Sequence, residues 1–253
     1  MSDDLTGRRA LVTGAARGLG LAVAELFLER GATVMLSDRD GAEAEAAADR
    51  LGDKALPNTC DVTSSEQVQA MIAAAVSEMG GLDILVNNAG IEISKPMNEH
   101  SDEEFLNLLK INVHGVFMCT KYAVPALAES KGNIVNMASV AGLGAAPLLS
   151  AYCSSKAAVI GFTEVCALEL RDAGIRVNAV CPSFIGTEMV DRMIPIYEEI
   201  LPLPFDEVVK IKQGRLGTSE EVAETVAFLA SDDASWTTGA HFTLDNALTA
   251  SLL

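Results

Sequence analysis

At 253 residues, 49% of them hydrophobic, the chain can bury a large core, yet no apolar run reaches the roughly 18 residues that span a bilayer. Its 35 acidic against 18 basic residues give a net charge of −17, which repels a phosphate backbone and speaks against nucleic acid as a partner. Five cysteines without a C-x-x-C pair and three histidines without ligand spacing speak against disulfides and against any metal, and the polar start at 1–9 predicts a cytoplasmic protein.

Short runs rich in β-branched residues then alternate with helical patterns. A strand at 8–13 runs into Thr13-Gly14-Ala15-Ala16-Arg17-Gly18-Leu19-Gly20, and a helix pattern follows through Arg30. Glycines at a strand–helix junction let the backbone turn sharply and approach a pyrophosphate, which sits at the positive end of the helix. The spacing here is G-x-x-x-G-x-G. The second strand, 33–37, leads to Asp38, whose carboxylate can accept hydrogen bonds from the adenosine ribose and repel a 2′-phosphate. That predicts NAD rather than NADP, although Arg17 and Arg39 leave the discrimination open. The other reading of Asp38 is a cap on the helix that begins near Gly41.

A third strand at 55–59 precedes a helix with Val68, Met71, Ile72, Ala75, Val76 and Met79 on one face and a capping signal at Thr63 to Glu66. The next strand, 84–87, is a continuous apolar run, as suits a sheet covered on both faces. A long helix is predicted over 102–128, a strand over 134–138, a second long helix over 150–172, and strands over 176–181 and 241–244. The segment 186–213 breaks the alternation. It holds Pro195, Pro202 and Pro204 among Met189, Met193, Ile194, Ile196, Leu201 and Phe205, and reads either as a mobile substrate lid or as a small packed helical insertion. The whole predicts one α/β domain over 1–253, with a Rossmann-like, doubly wound parallel sheet of about seven strands and helices on both faces.

Tyr152 and Lys156 are four residues apart, on one face of a helix. Ser139 follows a strand at the carboxyl edge, where such sheets bind ligands. A free phenol has a pKa of about 10, and a neighbouring ammonium favours its ionised form. Tyr152 can therefore exchange a proton with an alcohol–carbonyl pair, and Ser139 can hydrogen-bond the same oxygen.

The motifs TGAARGLG at 13–20, CDV at 60–62, NNAG at 87–90, Asn112, Ser139, YCSSK at 152–156 and PSFIGT at 182–187 resemble, in order and separation, those of the short-chain dehydrogenase/reductase family. The resemblance runs nearly end to end. It implies that Gly14, Arg17, Gly18, Leu19 and Gly20 cradle the dinucleotide and that Asp61 and Val62 flank the adenine. Asn88, Ala89 and Gly90 would line the cofactor side of the fourth strand. Asn112 would hold a water in a proton relay reaching Lys156, and Lys156 would also bind the nicotinamide ribose. Pro182, Ile185 and Thr187 would meet the nicotinamide end. The Tyr–Lys spacing matches the dehydrogenases and ketoreductases of the family rather than its enoyl reductases. A homotetramer built on the two long helices is also implied.

Two departures stand out: Pro182-Ser183 replaces the usual Pro-Gly, and Asp245-Asn246-Ala247 replaces Asp-Gly-Gly. The expected activity is NAD(H)-dependent interconversion of a secondary alcohol and ketone, with an apolar or cyclic small-molecule substrate. The alternatives are an NADPH-dependent ketoreductase of 3-oxoacyl carrier proteins and a non-enzymatic dinucleotide-sensing regulator.

Overall fold

The computed structural model describes residues 4–200 and 202–250, so that Leu201 and the first residues of the polar start lie outside the description. Seven parallel strands form one sheet: β1 (Arg9–Thr13), β2 (Thr33–Asp38), β3 (Ala55–Thr59), β4 (Ile84–Asn87), β5 (Asn133–Met137), β6 (Arg176–Pro182) and β7 (His241–Leu244). Their order is β3-β2-β1-β4-β5-β6-β7. All seven predicted strands are present. The helices are α1 (Gly18–Glu29), α2 (Gly41–Leu51), α3 (Ser65–Met79), α4 (Asp102–Leu109), α5 (Val116–Ser130), α6 (Ser150–Leu170), α7 (Glu188–Glu198), α8 (Phe205–Lys212) and α9 (Ser219–Ala230).

Strand side chains alternate between faces, and the alternation sorts the core into two layers. Ala10, Val12, Val34, Leu36, Ile84 and Val86 pack with α1 and α9 on one side. Leu11, Met35, Leu85 and Ile134 pack with α3, α5 and α6 on the other. Both faces are covered, which is why these strands read as unbroken apolar runs. A side chain such as Phe27, on the buried face of α1, contributes about 1.5–3 kcal/mol through burial alone. β1 pairs with β2 on one side and β4 on the other, so the chain switches direction between them. The loops leaving the carboxyl ends of β1 and β4 diverge at that point and open a cleft.

Three local expectations are corrected. The helix expected over 102–128 is two helices, α4 and α5, joined by a π-turn at Lys110–Gly115 that contains Asn112. A widened turn keeps the apolar periodicity nearly intact, so the sequence reads as one helix. The cap of α3 is Ser64 rather than Thr63; its hydroxyl accepts from the Gln67 amide, while the Gln67 side chain accepts from the Asp61 amide. The helix expected over 150–172 ends at Leu170, where a 3-10 turn leads to left-handed Gly174.

Candidate active site

The cleft at the switch point has a volume of about 490 Å³. Its dinucleotide end is built around the loop after β1. A Cβ on Gly20 would lie 2.2 Å from the Gly14 carbonyl oxygen, so only glycine lets α1 start this close to the loop. Gly18 has φ +59° with open space beside it, the shape of a cradle that a side chain would fill. Asn88 fastens the loop to β4: its Nδ2 donates to the carbonyls of Thr13 (3.0 Å) and Gly14 (2.9 Å). The Thr13 hydroxyl accepts in return from the amides of Asn88 and Ala89, both at 3.1 Å. Thr13 and the stapling role of Asn88 are not visible in the sequence, where Thr13 only precedes the first glycine.

Asp38 sits at the cleft wall at the end of β2, its Oδ2 accepting from the Ala16 amide at 3.2 Å. It does not cap the next helix. Asp40 does, accepting from the Glu43 amide, which corrects the capping reading of Asp38. Arg17 is paired with Glu43 at 3.1 Å and lies 4.0 Å from Glu188. Gly14, Leu19, Asp61, Val62, Ala89 and Gly90 line the same wall. Pro182, Ile185 and Thr187 line its far end. Of the residues expected to bind the dinucleotide, Gly20 alone stands behind the lining. These features fit a dinucleotide: a glycine cradle at a helix start, a carboxylate at the end of β2 and a cleft joining both to the floor formed by Ser139, Tyr152 and Lys156.

Ser139, Tyr152 and Lys156 meet on that floor. The Lys156 ammonium, buried, donates to the Met137 carbonyl at 2.7 Å and lies 5.5 Å from the centre of the Tyr152 ring. The Ser139 hydroxyl donates to the Pro182 carbonyl at 3.3 Å and accepts from the Ala141 amide at 3.1 Å, and it lines the cleft together with Tyr152. Burial pushes the Tyr152 phenol up to about 12, against the Ser139 hydrogen bond, with Glu92 and Cys153 adding to the rise. Burial likewise lowers Lys156 to about 8, partly offset by Cys181. The direction for the phenol is the reverse of the lowering expected from the ammonium, because desolvation is the largest cause.

Asn112 does not line the cleft. Its Nδ2 donates to the Ile91 carbonyl (2.9 Å) and the Ser155 hydroxyl (3.1 Å), and its Oδ1 accepts from the Ile91 amide (2.9 Å). Both amide hydrogens are taken, so the side chain ties the end of β4 to α6. Ser155, between the catalytic pair, was not singled out by the sequence.

Beyond the Tyr152 end of the cleft, the segments 186–200 and 202–213 carry α7 and α8. Val190, Met193, Tyr197, Phe205 and Val209 are buried together with Leu149. Phe205 meets Phe184 edge-on at 5.2 Å, and the Tyr197 hydroxyl donates to the Pro147 carbonyl at 3.0 Å. Buried Gln213 closes the segment, donating to the carbonyls of Phe184 and Arg215, both at 2.8 Å. Leu148, beside this cluster, has φ +66°, a left-handed conformation uncommon for leucine. Ser183 turns its hydroxyl to the Leu244 carbonyl at 3.2 Å and keeps ordinary backbone angles. Asn246 (φ 44°) and Ala247 (φ 69°) do adopt the left-handed turn for which glycine is the usual residue.

Comparison with known proteins places this geometry in context. A family model described as "Enoyl-(Acyl carrier protein) reductase" matches residues 14–249. A cyclohexanol dehydrogenase from Acinetobacter sp. (strain SE19) is 40% identical over 256 residues, covering 98% of each chain. The crystal structure of a short-chain type dehydrogenase/reductase from Mycobacterium marinum superposes with a TM-score of 0.90 at 37% identity, covering 98% of each chain. That of a 3-ketoacyl-(acyl-carrier-protein) reductase from Brucella melitensis complexed with NADH has a TM-score of 0.87 at 35% identity, covering 97% of this chain and 99% of that one.

Proposed function

This chain belongs to the short-chain dehydrogenase/reductase family of oxidoreductases, and we propose that it interconverts a secondary alcohol and its ketone with NAD(H), on an apolar or cyclic substrate. The observation that carries the proposal is the meeting of Ser139, Tyr152 and Lys156 at the floor of a cleft whose other end is the glycine cradle. When bound, the nicotinamide donates or accepts the hydride. Tyr152 takes the proton from the alcohol oxygen in oxidation and returns it to the ketone oxygen in reduction. Ser139 hydrogen-bonds that oxygen as its charge changes. Lys156, anchored on Met137, holds a cation beside the phenol that favours the ionised form.

In this reading Gly14, Arg17, Gly18 and Leu19 hold the pyrophosphate, with Gly20 keeping α1 close behind them. Asp61 and Val62 flank the adenine, and Asn88, Ala89 and Gly90 border the nicotinamide half. Lys156 also binds the nicotinamide ribose, and Pro182, Ile185 and Thr187 meet the nicotinamide. A water relay to Lys156 would run past Asn112 without using its amide hydrogens. Asp38 supports NAD over NADP, and so does the pairing of Arg17 with Glu43, which competes with any 2′-phosphate. Replacing Asp38 by alanine should narrow the ratio of kcat/KM for NAD over NADP; equal use of both cofactors by the wild type would overturn the preference.

Exposed Phe117 on α5 and Val165 and Leu168 on α6 support a homotetramer built on these helices, which light scattering tests. Among the described residues no helix is long and apolar enough to cross a membrane, in keeping with the cytoplasmic reading. The chain works in this reading as one domain, with 186–213 as its substrate lid.

The second reading, reduction of 3-oxoacyl carrier proteins, is favoured by the likeness to the Brucella reductase. The −17 charge and Asp38 stand against it. NADH appearance across a panel of secondary alcohols decides between them. Oxidation of none, together with NADPH-dependent reduction of a 3-oxoacyl thioester, would overturn the dehydrogenase reading.

A further inference from the structure

We propose that Glu92 is a specificity-determining residue whose carboxylate accepts a hydrogen bond from a second hydroxyl of the substrate, so that the preferred alcohol is a diol on an apolar frame. This rests on the dehydrogenase reading of the site and narrows its substrate class.

Glu92 lies two residues beyond Gly90 and lines the cleft, as do Tyr152, Val190 and Arg192. The backbone before it is fixed, because Asn112 holds both the amide and the carbonyl of Ile91. One carboxylate oxygen, Oε1, accepts from the Ser94 hydroxyl. The other, Oε2, has no hydrogen-bond partner among the described residues. The charge of Glu92 bears on the phenols of both Tyr152, on the cleft floor, and Tyr197, in the apolar wall. Burial raises the carboxyl pKa above its ordinary range, with the Ser94 hydrogen bond and the charge of Arg192 acting the other way.

A partly desolvated carboxylate with an uncommitted oxygen is costly unless a donor reaches it. The neighbouring wall cannot supply one, being made of Leu149, Val190, Met193 and Phe205. Tyr197 has its hydroxyl turned to Pro147. The ion pair of Arg192 goes to Glu188, at 3.7 Å. In the open cleft water can reach this oxygen, and a substrate that displaces the water has to supply the donor itself. A neutral hydroxyl fits better than an ammonium, since the charge of Arg192 already acts on Glu92. A mono-alcohol in the same place would leave the carboxylate covered and unpaired, and a site of that kind rejects the analogue lacking the hydroxyl.

The test is kcat/KM, by NADH appearance, for cyclohexanol and for cis- and trans-cyclohexane-1,2-diol, in the wild type, Glu92→Gln and Glu92→Leu. The wild type should prefer one diol over cyclohexanol by roughly tenfold or more, as expected where a buried polar group would otherwise go unpaired. Glu92→Leu should abolish that preference, and Glu92→Gln, which keeps an acceptor oxygen and the shape, should retain part of it. Oxidation of cyclohexanol without any diol preference in the wild type would overturn this proposal while leaving the dehydrogenase reading intact, and that measurement needs no variant to fold. The same preference in Glu92→Leu as in the wild type would also overturn it. Oxidation of none of the three compounds, or of any other secondary alcohol, would overturn the dehydrogenase reading and this proposal with it.

Discussion

The dinucleotide end of the cleft is held by hydrogen bonds between side chains and main chain, while the substrate end is held by apolar packing. Asn88 and Thr13 together make five such bonds across the glycine loop and β4. On the other side Tyr197, Phe205 and Phe184 lean on one another at ring distances of 5.2 and 6.3 Å. Directional bonds fix a backbone shape, which suits a ligand part as constant as a pyrophosphate. Apolar walls tolerate repacking, which suits a ligand part that differs between enzymes. The catalytic floor lies where the two constructions meet, so substitutions there and on either side should separate chemistry, cofactor binding and substrate binding.

The largest effect belongs to the floor. Tyr152→Phe keeps the ring but deletes the oxygen that exchanges the proton, and kcat should fall by about two to four orders of magnitude, the range for a lost general acid or base. NAD affinity, read by dinucleotide titration, should barely move. Activity within about threefold of wild type would remove Tyr152 from the chemistry. The pH profile carries the sign. Oxidation needs the unprotonated form, and Tyr152 is pushed up to about 12 by burial while Lys156 is lowered to about 8. The oxidation rate should therefore rise with pH through the alkaline range, and the reduction rate should fall. The apparent midpoint belongs to the pair rather than to either residue.

Gly20→Ala probes the dinucleotide end. The added methyl would stand 2.2 Å from the Gly14 oxygen and 2.5 Å from Asn88 Nδ2, with backbone on one side and a bonded amide on the other. Urea unfolding should show a loss of about 1–3 kcal/mol, the usual cost of overpacking, and dinucleotide binding should weaken in step. Wild-type stability and affinity would mean that the staple is softer than its hydrogen bonds imply.

Tyr197→Phe probes the substrate end. It removes the hydrogen bond to the Pro147 carbonyl and should cost about 1 kcal/mol in unfolding. Here the KM for the alcohol should rise while dinucleotide affinity holds, the reverse of the Gly20 pattern. A change in dinucleotide affinity alone would break the division between the two ends. The smallest effect is expected far from both. Ala247→Gly relieves a left-handed alanine at φ 69° and should stabilise by about 0.5–1 kcal/mol without changing either affinity.

The two ends also differ in how far the sequence reveals them. The glycine loop, Asp38 and the catalytic trio were legible because each depends on a local constraint: a turn that needs glycine, a strand that ends in a carboxylate, two residues on one helical face. Glu92 carries no such mark, because a single carboxylate after a strand reads as a solvated loop residue. The segment 186–213, which the sequence leaves open between a mobile lid and a packed insertion, lacks such a mark for a related reason. Pro195 lies inside α7 and Pro204 caps the start of α8, so of the three prolines that suggested an irregular stretch only Pro202 stands in a bend. Pro204 fits where a helix begins, and Pro195 removes only one amide from α7. The left-handed turn at 246–247 could be foreseen from the replaced glycines, whereas the left-handed Leu148 could not.

The π-turn at Lys110–Gly115 holds a spare residue within a helical winding. Each residue rotates a helix by about 100°, so α4 and α5 are out of phase by that angle although the chain between them never stops coiling. Deleting a single residue there would restore a regular helix and swing Asn112 off Ile91 and Ser155. It would also turn either α4 away from α6 or α5 away from α3, because the first pair and the second pair each depend on the present phase. The turn therefore sets the length tolerance of this stretch at zero: a shift of one residue, harmless in most surface helices, would here disconnect the end of β4 from the helix that bears the tyrosine and the lysine.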